Sequence, residues 1–434
     1  MPAVARILIV FATMLMAARF RCPLGLALVL GGVALDLWAG HGWAVALADL
    51  RAAVTAPELW LLLAVTILII EIARFMTERS NADEIVNATR RWGGRHGRAA
   101  SLIALPAIIG LVPMPAGALF SAPFVEQAGG AERDPAWKST VNYWFRHIWE
   151  YWWPVYPGVI ITMALFEMEA WRFIAGQLPF TLAALGSGFF FLIRPHIRQI
   201  REEEAHGGKV GRRAAFLFLP LVLAVSSVLL LPPLLARTGL LPDLQRRKLV
   251  SMLIGLCAAL LTVFVDERRR RRAGENDVGP MFSTLFTPKS LGIQTTLAGV
   301  LVFKAMLTAS GLLPEAGRDI VASGLPLAVA VAALPMLAGL VTGIALGFAG
   351  LAFPLVVGLM SAEGSGLTPL ATLSLAFGFG YMGMMLSPVH LCLLVTREYF
   401  GASLPAIYRR LMPCAVTVLA LSIGLHCLFA ALGV

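Results

Sequence analysis

The sequence predicts an all-α polytopic membrane protein: about ten transmembrane helices plus two re-entrant hairpins, set in two inverted-topology repeats. Three observations carry that prediction. Of the 434 residues, 58% are hydrophobic and only 14% are charged, too apolar a balance for a soluble chain around one core. Long apolar runs alternate with shorter polar stretches whose Lys and Arg gather on one side. In each half, a Gly/Pro-rich apolar segment precedes a span that proline interrupts.

The spans expected from the apolar runs are 4–18, 23–38, 57–73, 141–166, 173–193, 214–236, 248–265, 291–310, 369–396 and 405–431. With the Arg268–Arg272 run placed in the cytoplasm, most Lys and Arg of the connecting loops fall on that side, as the positive-inside rule requires. The net charge of +10 is therefore read as membrane topology and not as a nucleic-acid footprint. The five cysteines sit in or beside apolar runs, without metal-ligand spacing or a disulfide framework.

Segments 102–128 and 326–360 are apolar but dense in Gly, Pro and Ala. Each fits two short helices and a tip. Non-helical backbone at membrane depth persists only where protein buries it or a cavity adjoins it, which favours hairpins. The first repeat thus covers 1–198, with hairpin 102–128 and broken helix 141–166. A cytoplasmic linker, 199–213, leads to the second repeat, 214–434, with hairpin 326–360 and broken helix 369–396. An odd number of crossings per half gives the halves opposite orientation. Pro154-Val155-Tyr156 matches Pro388-Val389-His390, and Thr162 matches Thr396 at the same offset. Ala116–Phe120 matches Ala349–Phe353 at an offset one residue shorter. Short Ala/Gly/Leu matches arise freely in such a composition; these gain weight by landing on corresponding elements.

The site is expected where hairpin tips meet helix breaks. At the first tip, Pro115 forces extended backbone before it, Gly117 permits close approach, and Ser121 offers a hydroxyl at a half-helix N-terminus, where anions are favoured. Gly347 and Gly350 take that part at the second tip, although close helix packing is an equally ordinary use of such glycines. Pro154 and Pro388 free carbonyls upstream of themselves, and Tyr156 and His390 follow the breaks at matching positions, with Ser387 beside them. Asn142, His147 and Glu150 are the coupling-ion candidates. Arg146 and Glu150 are one turn apart, which also suits a plain ion pair. His147 with Glu150 suits a proton relay or half of a metal site, with no matching His/Glu cluster elsewhere in the sequence. Trp144, Trp149 and Trp152 read as an interfacial belt, and Trp153 as a wall of the path. Lys304, deep in its span, requires a partner, an anion or a route to the surface.

The motifs PMPAGALFSAP at 113–123 and NYWFRHIWEYWWPVYPG at 142–158 resemble the bacterial and archaeal integral-membrane family known as domain-of-unknown-function family 401. That family is grouped with the ion transporter superfamily of gluconate, citrate and dicarboxylate permeases. The resemblance implies a homodimer in the cytoplasmic membrane, a scaffold with a moving transport part, and ion-coupled movement of a small anion. The Ser-Asn-Thr tip pattern of the dicarboxylate/sodium symporters is missing, so their ligands do not carry over.

The expected function is an ion-coupled (H⁺ or Na⁺) secondary active transporter of a small organic anion, of the elevator type. The alternative is a membrane-embedded enzyme or lipid-handling protein using His147 and Glu150. Walker A, G-x-S-x-G, H-E-x-x-H and strand-linked G-x-G-x-x-G signatures are absent, so no enzyme activity is expected. No cofactor beyond Na⁺ as a coupling ion is expected, and the partners are the anionic solute, membrane lipids and a second copy of the chain, without nucleic acid.

Overall fold

The computed structural model describes every residue except 21, 79, 82–83, 86–87, 89–96, 113–116, 130–132, 200–211, 240–242, 273, 275–279, 284, 325 and 362–364. The described residues form helices and contain no strand. The first half holds α1 (Ala3–Arg19), α2 (Leu24–Trp38), α3 (Trp43–Thr55), α4 (Pro57–Thr77), α5 (Gly97–Gly110), α6 (Ala118–Gly129), α7 (Pro135–Arg146), α8 (Pro157–Leu165) and α9 (Ala170–Gly188). The second holds α10 (Arg212–Thr238), α11 (Leu244–Arg272), α12 (Pro288–Ala309), α13 (Leu312–Ala322), α14 (Leu327–Thr342), α15 (Ala345–Met360), α16 (Pro369–Met385), α17 (Leu391–Phe400) and α18 (Leu404–Ala431). Six of them, α4, α9 with its continuation to Ile197, α10, α11, α12 and α18, are long and apolar enough to cross a membrane. Shorter apolar helices accompany them. This is the architecture of a polytopic membrane protein.

Two helices lie in stretches expected to be loops. Helix α3 packs on α12 through Ala53, Val302 and Met306. Helix α13 buries Leu312, Leu313 and Ala316 and packs against α1 and α15. Helix α13 is amphipathic, with one apolar face, and α3 is short and carries Asp49 and Arg51, so continuous apolar length does not reveal them.

Each Gly/Pro-rich segment forms two short helices, α5–α6 and α14–α15. In the first, the expected tip residue Pro115 lies outside the described residues, as does most of the 199–213 linker. In the second, α14 stops at Gly343, whose φ of +65° is left-handed and whose N–H caps the Gly339 carbonyl at 2.8 Å. That conformation is natural for glycine and strained for other residues.

The helices pair in a repeating manner. α5 packs on α7, and α14 on α16. Across the halves, α6 packs on α17 and α15 on α8. Away from this group, α2 packs on α12 and α4 on α11. Ion pairs tie together opposite ends of the bundle. At one end Arg74 pairs with Glu71, Glu78 and Glu267, while Arg270 pairs with Glu78. At the other end Arg246 meets Glu58 at 2.8 Å and Lys304 meets Glu167 at 3.0 Å.

Candidate functional site

Both proline-bearing spans are interrupted. Helix α7 starts on Asp134, whose carboxylate accepts the Ala136 N–H at 3.1 Å, with Pro135 in the first turn. Such a cap is worth about 1 kcal/mol. The helix ends at Arg146, and α8 begins at Pro157. Non-helical backbone therefore runs from His147 to Tyr156, starting seven residues before Pro154. The second break is short, residues 386–390 around Pro388.

Neighbouring side chains explain the length of the first break. The Tyr381 hydroxyl donates to the His147 carbonyl at 2.7 Å, and the Thr181 hydroxyl to the Ile148 carbonyl at 2.6 Å. Donors replace the missing helical N–H groups, which apolar surroundings would otherwise leave costly. The second break is treated alike: Tyr143 donates to the Met385 carbonyl at 2.9 Å and Tyr408 to Leu386 at 3.1 Å. These four carbonyls are thus taken up by the protein.

The tryptophans have a role other than an interfacial belt. Trp149 Nε1 donates to the Ala107 carbonyl at 2.8 Å, Trp153 Nε1 to Leu111 at 3.0 Å, and the Tyr156 hydroxyl to Gly110. These carbonyls end α5, where a helix lacks internal donors. Trp144 Nε1 reaches the Ala184 carbonyl and Trp152 Nε1 the Thr181 hydroxyl. The indole N–H groups point inward and fasten the break to hairpin and core. The second break makes an equivalent tie: His390 Nδ1 lies 2.7 Å from the Gly343 carbonyl, and Ser387 donates to Leu340 at 2.6 Å.

Between the breaks lies a buried polar cluster. His147 and His390 meet with their Nε2 atoms 3.3 Å apart. Glu150 Oε1 stands 3.9 Å from His147 Nε2 and 3.7 Å from the Arg146 guanidinium. Arg146 also reaches Cys392 Sγ at 3.8 Å. Hairpin one closes on the same group, because a methyl placed on Gly117 would lie 2.3 Å from an Arg146 guanidinium nitrogen. Arg146 and His147 are each 2% exposed and Glu150 8%, so these charges are held by one another within an apolar interior.

The structure brings Gly117, His147, Glu150, Tyr156 and His390 into this region, with Ser387 beside Gly343. Asn142 is one turn back on α7, bridging the Ala118 carbonyl at 2.9 Å and the Thr396 hydroxyl at 3.4 Å. Ser121 sits in the first turn of α6, its hydroxyl donating to Ala118. Gly347 lies against Thr342 next to the second tip. Gly350 is elsewhere: its Cα faces Val300 of α12, a packing position. Pro154 is buried within the first break, whereas Pro388 is exposed. Sequence reading gave no role to Cys392, Tyr143 or Tyr381. Nothing in their spacing marks them; the fold alone carries them to the partner break.

The space beside His147, lined by Trp144, Tyr151, Tyr381 and Met385 among others, is too tight to admit a water molecule. Small-molecule pockets start at roughly 300 Å³. A cavity of about 470 Å³ between α1, α13 and α14 is larger but mainly aliphatic, and its Asp319 accepts the Val4 N–H at 3.1 Å. It holds none of the clustered ionisable groups.

A family model described as "Protein of unknown function (DUF401)" matches residues 5–428. The chain belongs to the DUF401 family. Comparison with curated proteins gives no match. The DUF401 match spans α1 to α18, so the two hairpins, the two breaks and the polar cluster all lie within the family's extent.

Proposed function

We propose that this DUF401 protein is an ion-coupled secondary active transporter of a small organic anion. One observation carries the reading: two helix breaks and a hairpin tip converge on a buried cluster of Arg146, His147, Glu150 and His390. Discontinuous helices meeting near mid-membrane are how many secondary transporters build a solute site. Arg146 supplies positive charge for the anion, and Gly117 lets the hairpin backbone close on it.

The pairings support two inverted-topology repeats, 1–198 and 214–434. Each hairpin's first helix packs on its own half's broken helix, and its second helix packs on the broken helices of both halves. Tyr156 with Gly110 and His390 with Gly343 form corresponding ties. The α2–α12 and α4–α11 pairs suit a scaffold, and the hairpins with the broken helices suit a moving part. The small volume at the cluster fits a closed form that opens by such motion. We place the protein as a homodimer in a bacterial or archaeal cytoplasmic membrane, in line with the family resemblance.

The carbonyls of His147, Ile148, Met385 and Leu386 already accept protein hydroxyls, which favours protons over Na⁺ as the coupling ion. Glu150, beside His147, is the carrier. In proteoliposomes, uptake of a small carboxylate should follow an imposed pH gradient without Na⁺ and lose that dependence in Glu150→Gln. Unchanged gradient-driven uptake in the variant removes Glu150 from the mechanism.

A further inference from the structure

The His147 and His390 rings present a hydrogen-bonding conflict. Their Nδ1 atoms lie 2.6 Å from the Tyr143 carbonyl and 2.7 Å from the Gly343 carbonyl. A carbonyl oxygen only accepts, so both Nδ1 atoms carry the proton. In neutral rings both Nε2 atoms then offer lone pairs, and these face one another at 3.3 Å. Two acceptors at that distance call for a cation between them. Cys392 Sγ completes the group: the three ligand atoms lie within 4.8 Å of one another, and all three residues are buried.

We propose that His147, His390 and Cys392 bind a divalent transition-metal ion of the zinc class. Two imidazole nitrogens on a tetrahedral ion, each at ~2.0–2.1 Å, stand roughly 3.3–3.4 Å apart, which matches the pair. A backbone carbonyl on the far nitrogen is the usual device that orients a metal-binding imidazole. The mixed nitrogen and sulfur donors select zinc or cobalt over magnesium or calcium. Glu150, 3.9 Å from His147 Nε2, stands beside the fourth position. Arg146, 3.8 Å from Cys392 Sγ, offsets the charge of a thiolate and of Glu150. His147 follows α7 while His390 and Cys392 open α17, so the ion ties the two breaks together. The site goes beyond the transport reading, and metal retention is measured without uptake.

The test uses the full chain purified in detergent without chelator. Elemental analysis should find about one zinc per chain. After chelation, Co²⁺ loading should give tetrahedral d–d absorption and a near-ultraviolet sulfur-to-cobalt charge-transfer band. Cys392→Ser should lose the charge-transfer band, and His390→Gln should weaken Co²⁺ binding at least tenfold, both with an unaltered size-exclusion profile. If monodisperse wild-type protein takes up no more Zn²⁺ or Co²⁺ than the Cys392→Ser, His390→Gln double variant, the proposal fails and the imidazoles share a proton instead. A sulfur band that persists in Cys392→Ser overturns it equally.

Discussion

The Tyr381 hydroxyl donates to the backbone carbonyl of His147 at 2.7 Å, tying helix α16 to the break that follows α7. Tyr143 makes the converse tie, from α7 to the Met385 carbonyl at 2.9 Å. Each break is thus held by a tyrosine from the other half. Replacing Tyr381 with Phe leaves a buried carbonyl without that donor, a cost of about 1–3 kcal/mol. Thermal unfolding in detergent should show Tyr381→Phe and Tyr143→Phe each less stable than wild type. Wild-type stability in both variants would mean that the breaks do not rely on these bonds.

Gly117 and Gly350 were candidates of one kind in the sequence, and the structure separates them. A methyl on Gly117 meets the Arg146 guanidinium at 2.3 Å; one on Gly350 meets Val300 Cγ2 at 2.5 Å. Gly117→Ala should displace Arg146 and abolish uptake while the protein stays folded. Gly350→Ala should chiefly lower stability, by about 1–3 kcal/mol of overpacking. Melting curves and uptake on the same preparations distinguish the two, and the reverse pattern would contradict the placement of the site.

Arg74 is 8% exposed and pairs with three carboxylates, two on or next to α4 and one on α11. Removing one partner of a buried ion network typically costs about 3–5 kcal/mol, because the opposite charges stay behind. Arg74→Met should therefore depress the melting temperature sharply. A change of under about 1 kcal/mol, the range of surface pairs, would show the network to be solvated.

Lys304 reaches Glu167 at 3.0 Å, on a partner that is 63% exposed. Such pairs contribute about 0–1 kcal/mol. Lys304→Met should leave both melting temperature and anion uptake near wild type. A large loss of uptake would return this lysine to the solute path.

The six helices long and apolar enough to cross a membrane were legible because apolar run length is a direct signal, and prolines marked both interrupted spans. The extent of the first break was not. Proline at 154 and 157 points to a local kink, yet the chain unwinds from His147 because Tyr381, Thr181 and the hairpin carbonyls supply alternative partners from distant segments. The tryptophans misled for a related reason: an indole N–H suits a membrane interface and a buried carbonyl equally well, and sequence does not say which carbonyl is near. Cys392 stands two residues from His390, but only tertiary packing sets it beside His147 and Arg146. Helix α3 went unseen because Asp49 and Arg51 cut its apolar run short, and α13 because one-sided burial leaves no such run.

The central claim is that the cluster between the two breaks holds the solute of a transporter. It is tested most directly by uptake of radiolabelled small carboxylates into proteoliposomes under an inward proton or sodium gradient, with wild type set against Arg146→Gln. The account predicts accumulation above the equilibrium level in wild type and its loss in a monodisperse, folded variant. Accumulation that is equal in both proteins, or no accumulation of any carboxylate under either gradient, would contradict it.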